Sequence, residues 1–185
     1  MYQKIKFRES FRPFAPSVLE ECAVEYFDID RASPYMMFTA PVKERHRRHQ
    51  KLSRSQDIFE QLNFARSHIP AVTHVDYSAR LQTVSRDDKL DYYQLIEAFE
   101  QYTKCPLIVN TSFNVRGEPI VCTPEDAFKC FMKTDMDVLV LGDHLILKKD
   151  QINLPLDYGL QPYPSLKPKE VRRKSRLPAF ITGVF

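Results

Sequence analysis

The sequence predicts an α/β fold, and three stretches carry that prediction. Residues 89–104 form the clearest helix, with Tyr92, Leu95, Ile96, Phe99 and Tyr102 recurring at helical spacing. Pro106 ends it, and Leu107-Ile108-Val109 follows as a short apolar strand. Thr123-Pro124-Glu125-Asp126 then opens a second helix reaching about Lys133: threonine can cap, proline fits the first turn, and two acids suit the positive end of the helix dipole. Val138–Leu141 reads as a buried strand, turned at Gly142-Asp143 and paired back by His144–Leu147.

The other elements follow in chain order. Over residues 4–12, Lys4, Lys6 and Arg8 alternate with Ile5 and Phe7, so a strand would carry cations on one face. Such a comb suits a polyanionic small molecule, or a solvated edge strand whose lysines block pairing. Residues 14–19 read as a strand whose prolines place it at an edge or at a strand's start. Glu20–Phe27 reads as a short helix, residues 28–34 as a turn-rich link, and residues 35–39 as a buried strand ended by Pro41. Ile58, Phe59, Leu62 and Ala65 suggest a helix over residues 55–67. Residues 69–75 and 77–84 are strand candidates, the latter with Ala79, Leu81 and Thr83 on one face and Arg80 and Gln82 on the other. From Gln151 the texture changes to a proline-rich, basic extension with an apolar end at residues 177–185.

The chain's 185 residues, 43% hydrophobic and 12% aromatic, suit a globular domain with a core of its own. No apolar run approaches a membrane span, and the charged N-terminus is unlike a signal peptide. Cys22, Cys105, Cys122 and Cys130 form no CxxC pair and read as reduced, mostly buried thiols of a cytoplasmic protein. The net charge of +3 comes from residues 43–54 and 167–176, each carrying six Lys/Arg and one Glu. Without them 15 basic and 22 acidic residues remain, a net of −7, unlike the continuous basic face of a nucleic-acid-binding domain. His46 and His49 are spaced like a metal pair but sit among arginines, so no metal site is expected there.

The stretch with most chemistry is Asn110-Thr111-Ser112-Phe113-Asn114, followed by Arg116, at the end of the 107–109 strand. Small hydroxyls and amides beside a guanidinium suit a phosphate or carboxylate ligand, although a polar turn between strands uses the same residues. No Ser/His/Asp or Cys/His arrangement for a nucleophile is apparent in the sequence.

Five blocks, FRESFRPFAPSVLEE, SPYMMFTAPV, IPAVTHVDYSARLQTV, LIVNTSFNVRGEPIVCTPEDA and MDVLVLGDHLILKK, together resemble the C-terminal domain of NodU/CmcH-type carbamoyltransferases. The resemblance implies a YrdC-like domain over residues 1–150, with an open twisted mixed sheet and flanking helices, followed by an irregular extension at 151–185. It implies that carbamoyl phosphate and ATP are converted to carbamoyl-adenylate, with Mg²⁺ held mainly through the nucleotide. Lys6, Arg8 and Arg12 would hold phosphates. Arg80, Asn110 and Ser112 would act on the reacting groups, and Asn114 and Arg116 would assist binding. An upstream block resembling Gly-Pro-Arg-Ala-Leu-Gly-Asn-Arg-Ser is not in this sequence, so the transfer domain that delivers the carbamoyl group to a hydroxyl is expected elsewhere, in the same or another chain. Tyr77 stands where the family usually carries glycine, and residues 43–68 look long for it. The alternatives are a non-catalytic module binding nucleotide or RNA, and a docking fragment of a split carbamoyltransferase.

Overall fold

A computed structural model describes residues 5–6, 9, 11–49, 62 and 64–151. These fall into two compact units, one running to Ile120 and one beginning at Val121.

The first unit is built on a three-stranded mixed sheet. Its centre is β1 (Ala15–Leu19), flanked by the parallel β4 (Gln82–Val84) and the antiparallel β5 (Leu107–Asn110). The side chains of β1 alternate faces. Val18 enters a cluster with Phe14, Phe27, Val42 and Leu81, whereas Leu19 joins Val84, Tyr92, Tyr93 and Ile96. The short helix α1 (Glu20–Tyr26) follows β1 directly, and the second cluster is completed by α2 (Leu90–Thr103). The helix ends at Lys104, whose left-handed φ of +59° lets its N–H bond to Glu100 O. A separate antiparallel pair, β2 (Thr39–Pro41) and β3 (Ser78–Arg80), matches Thr39 with Arg80.

The α/β class and the mixed sheet thus agree with expectation, but several elements do not. β1 is the central strand rather than an edge, and Pro16 falls at its start, the other expected placement. Pro16 is tolerated because the ladder to β4 starts only at Ser17, so its missing N–H costs no bond on that side. Residues 35–38 are not a buried strand. Tyr35 is 80% and Met37 76% exposed, and Met36 turns the chain at φ +57°, so only Thr39–Pro41 pairs. The strand expected over 69–75 is a 3₁₀ turn at Pro70–Val72, held by the buried Thr73 hydroxyl bonding to Ile69 O at 2.9 Å. The 77–84 strand is two strands separated at Leu81, because β3 pairs with β2 while β4 pairs with β1. Ile5 and Lys6 are both buried in a wide helical turn, so the alternating comb of a strand is not formed there. The 55–67 helix lies largely outside the described residues. It does not reach Ser67, which bridges Arg47 and bonds to Thr73.

In the second unit, α3 (Pro124–Lys133) starts with a reciprocal cap: Thr123 Oγ1 accepts from Asp126 N, and Asp126 Oδ2 accepts from Thr123 N, both at 3.2 Å. β6 (Val138–Leu141) and β7 (His144–Leu147) form the expected hairpin, with Gly142 at φ +57° in its two-residue turn. Only Leu139 of β6 is buried, because a lone hairpin has one covered face; Val140 and Leu145 point to solvent. Thr123→Ala is expected to cost this unit about 1 kcal/mol, read as a lower urea midpoint. The Thr123 hydroxyl holds the Asp126 carboxyl below the usual aspartate range. The capping contribution is therefore complete above the ordinary aspartate pKa and is lost as pH falls through the lowered one.

No disulfide joins the cysteines, and only Cys130 is buried; Cys122 is exposed just before the Thr123 cap, and Cys22 and Cys105 are half-buried. Burial, helped by Glu100, Glu21 and Glu25, pushes the Cys22 thiol up to about 11. At pH 8, iodoacetamide should therefore label Cys22 at roughly a hundredth of an ordinary thiol's rate, rising about tenfold per pH unit, while Cys122 reacts readily. Peptide mass mapping across pH 7–10 checks this; equal labelling at pH 8 would contradict it.

Candidate functional site

The β1–β5 register sets Asn110 opposite Ala15, and β3 carries Arg80 opposite Thr39. Between these strands opens a cavity of about 440 Å³ whose lining includes Arg80, Asn110, Ser112, Thr39, His74 and Ser78. A cleft of about 260 Å³ is lined by Lys6, Glu9, Arg12, Ser112, Asn114 and Arg116. Ser112 belongs to both. Every sequence-predicted site residue lines one of the two, apart from Arg8, which lies outside the described residues.

Their hydrogen bonds differ in kind. Lys6 is 7% exposed, and its Nζ donates to Ser112 O at 2.6 Å, Asn114 O at 2.7 Å and Asn114 Oδ1 at 3.0 Å. The ammonium thus pins the loop that follows β5, a structural task the sequence reading did not assign to it. Ser112 Oγ donates to Asn114 Oδ1 at 2.7 Å, and Asn114 Nδ2 donates to Glu118 O at 3.0 Å, which fixes the loop further. Glu9 lies 3.7 Å from Arg12 and 3.8 Å from Arg116. A bond from its own backbone N–H, then the Arg116 and Arg12 charges, keep its carboxyl below the usual range. Arg80 is exposed, and its guanidinium has no hydrogen-bond or ion-pair partner among the described residues, so it is available to an oxyanion in the cavity.

The sequence reading missed His74, Asp76 and Ser78. One carboxylate oxygen, Asp76 Oδ1, accepts from Ser78 Oγ at 2.6 Å and Ser78 N at 2.9 Å, and lies 3.3 Å from His74 Nδ1. The Ser78 bonds chiefly hold the Asp76 carboxyl low, with His74 adding to them. Asp76 thereby orients two groups of the cavity wall. They are not a nucleophilic triad, because the Ser78 hydroxyl donates to Asp76 rather than to His74. A signal was present: Ser78 lies two residues from Arg80 on one strand and so shares its face.

A family model for the carbamoyltransferase C-terminus matches residues 1–148. The chain belongs to the carbamoyltransferase C-terminal family. It is 55% identical over 152 residues to the uncharacterized protein sll1178 of Synechocystis sp., covering 82% of this chain and 25% of that one. It is 42% identical to nodulation protein NolNO of Sinorhizobium fredii, covering 88% and 22% of the two chains. It is 41% identical to nodulation protein NolO of Bradyrhizobium diazoefficiens, covering 88% and 27%. The chain thus spans about a quarter of the length of these relatives.

Within this carbamoyltransferase domain, Tyr77 adopts φ +64°, a backbone region that suits glycine and costs other residues about 1–2 kcal/mol. Its side chain offsets that cost: the hydroxyl donates to Arg48 O at 3.2 Å, and the Arg47 guanidinium lies 5.2 Å from the ring centre. The described part of the basic stretch is likewise engaged. Arg47 Nε donates to Val42 O at 2.7 Å and Arg45 Nη2 to Glu25 O at 2.5 Å. His46 stacks on Tyr26 at 4.4 Å while His49 contacts Glu44 at 2.5 Å, so the two imidazoles serve separate contacts. Among the described residues no three His, Cys, Asp or Glu side chains gather as metal ligands, and no helix is long and apolar enough to cross a membrane.

Proposed function

We propose that this domain binds carbamoyl phosphate and ATP and forms carbamoyl-adenylate in the cytoplasm for a transfer domain outside this sequence. The observation that carries the reading is the meeting of Arg80, Asn110 and Ser112 on one cavity, with Ser112 shared by the cleft of Lys6, Arg12, Asn114 and Arg116. Water releases carbamate and phosphate from carbamoyl phosphate. A carbamate oxygen then bonds to the α-phosphorus of ATP, the bridging P–O bond to the β-phosphate breaks, and pyrophosphate leaves. An acceptor hydroxyl later attacks the carbamoyl carbon and AMP departs. Such chemistry rests on positioning and charge neutralisation. Arg80 would hold an oxyanion, Ser112 would donate to it, and Arg12 and Arg116 would hold further phosphate oxygens. Mg²⁺ would neutralise the nucleotide's phosphates, which carry it without a protein carboxylate cluster.

Calorimetric titration with carbamoyl phosphate and with ATP–Mg²⁺ tests the reading. The parent chain should bind, and the double variant Arg80→Ala, Ser112→Ala should bind about a hundredfold more weakly or worse, since two bonds to a charged ligand are lost. No heat from either ligand in a folded sample, or unchanged binding in the variant, would overturn it. RNA binding with a steep salt dependence would instead favour the non-catalytic alternative.

A further inference from the structure

We infer that Gln82 locks the side-chain amide of Asn110 in one sense, so that the cavity offers an acceptor that selects a ligand carrying an N–H donor. The inference deepens the carbamoyl-phosphate reading and rests on it.

The argument starts at a backbone carbonyl, which can only accept. Gln82 Nε2 donates to Pro34 O at 3.0 Å, so Gln82 Oε1 must face the other way. There it accepts from Ser17 Oγ at 2.8 Å and from Asn110 Nδ2 at 2.7 Å. Asn110 Nδ2 also lies 3.1 Å from Ser17 Oγ. Turning Asn110 over would set two carbonyl oxygens 2.7 Å apart. Turning Gln82 over would set its oxygen against Pro34 O. The network is shielded from water: Ser17 is fully buried and Gln82 is 9% exposed. It is anchored in the fold because Ser17 and Gln82 are register partners of β1 and β4.

The Asn110 amide nitrogen is thus committed to Gln82 Oε1 and Ser17 Oγ, with Met36 Sδ as a weaker third contact at 3.7 Å, and this fixes the sense of the amide. Its Oδ1 has no donor among the described residues, on a side chain that lines the cavity beside Arg80 and Ser112. Phosphate oxygens have no proton to offer it. A carbamoyl NH₂ does, and the methyl group of an acetyl analogue of nearly the same shape does not. An acceptor left without a donor in a partly buried site costs affinity, so Asn110 discriminates between the two, with Gln82 as its positioning residue.

The test titrates the 185-residue chain with carbamoyl phosphate and with acetyl phosphate. The parent should bind carbamoyl phosphate at least about tenfold more tightly. In Gln82→Met the amide can turn, so the ratio should fall towards one while acetyl phosphate affinity changes little. A merely structural role for Gln82 would weaken both ligands in parallel and leave the ratio intact, which would overturn its positioning role. The parent ratio needs no variant and stays decisive if Gln82→Met fails to fold. Equal affinities in the parent overturn the inference while leaving a phosphate-binding site. Binding of neither ligand overturns the carbamoyl-phosphate reading and the inference with it.

Discussion

Replacing Lys6 with methionine is expected to destabilise the first unit by about 2–4 kcal/mol and to weaken carbamoyl phosphate binding at least tenfold. A buried ammonium bonded to two backbone carbonyls and a side-chain oxygen is the tie that holds residues 112–114 in place. Methionine keeps the length and the apolar stem but has no donor, so the Ser112 and Asn114 carbonyls lose a charged partner. Bonds to charged groups contribute about 1.5–3 kcal/mol each, and carbonyls left unsatisfied add to the loss. The loop carries Ser112, the one residue common to the cavity and the cleft, so its release should reach both. Urea unfolding gives the stability term and calorimetry the affinity term. An unchanged urea midpoint would mean that the ammonium is not holding the loop.

Phe131→Ala should have the largest effect on the second unit, about 3–5 kcal/mol. Phe131 is fully buried on α3, and the Lys148 ammonium lies 4.3 Å from its ring centre while donating to the Phe131 carbonyl. Alanine would leave a cavity that a 10-residue helix and one hairpin have few other side chains to fill. The expected readout is loss of amide-exchange protection over residues 124–133 and 138–147. Retained protection would show that the unit repacks.

The sequence alone determined the elements whose signals are local. The 89–104 periodicity, the Thr123-Pro124-Glu125-Asp126 start and the Gly142-Asp143 turn act within a few residues, and all three elements formed near their expected bounds. Asn110, Ser112, Asn114 and Arg116 stood out in the sequence as polar and cationic groups after a strand, and Arg80 through the family resemblance; the fold sets each of them on the cavity or the cleft. Tertiary structure decided what depends on distant partners. Residues 35–38 are apolar enough for a buried strand, but pairing with β3 begins only at Thr39, so Tyr35, Met37 and Phe38 stay exposed. Lys6 reads as one tooth of a cationic comb until the loop more than a hundred residues away supplies the carbonyls that bury it. His74 reads as part of a strand until the Asp76 carboxylate sets it beside Ser78 on the cavity wall. Gln82 reads as one polar face of a strand until the β1–β4 register sets it against Ser17. A hydrogen bond between residues far apart in the chain leaves no periodic or compositional mark, because neither partner's choice constrains its own neighbours. Only the folded chain fixes which amide oxygen the cavity receives.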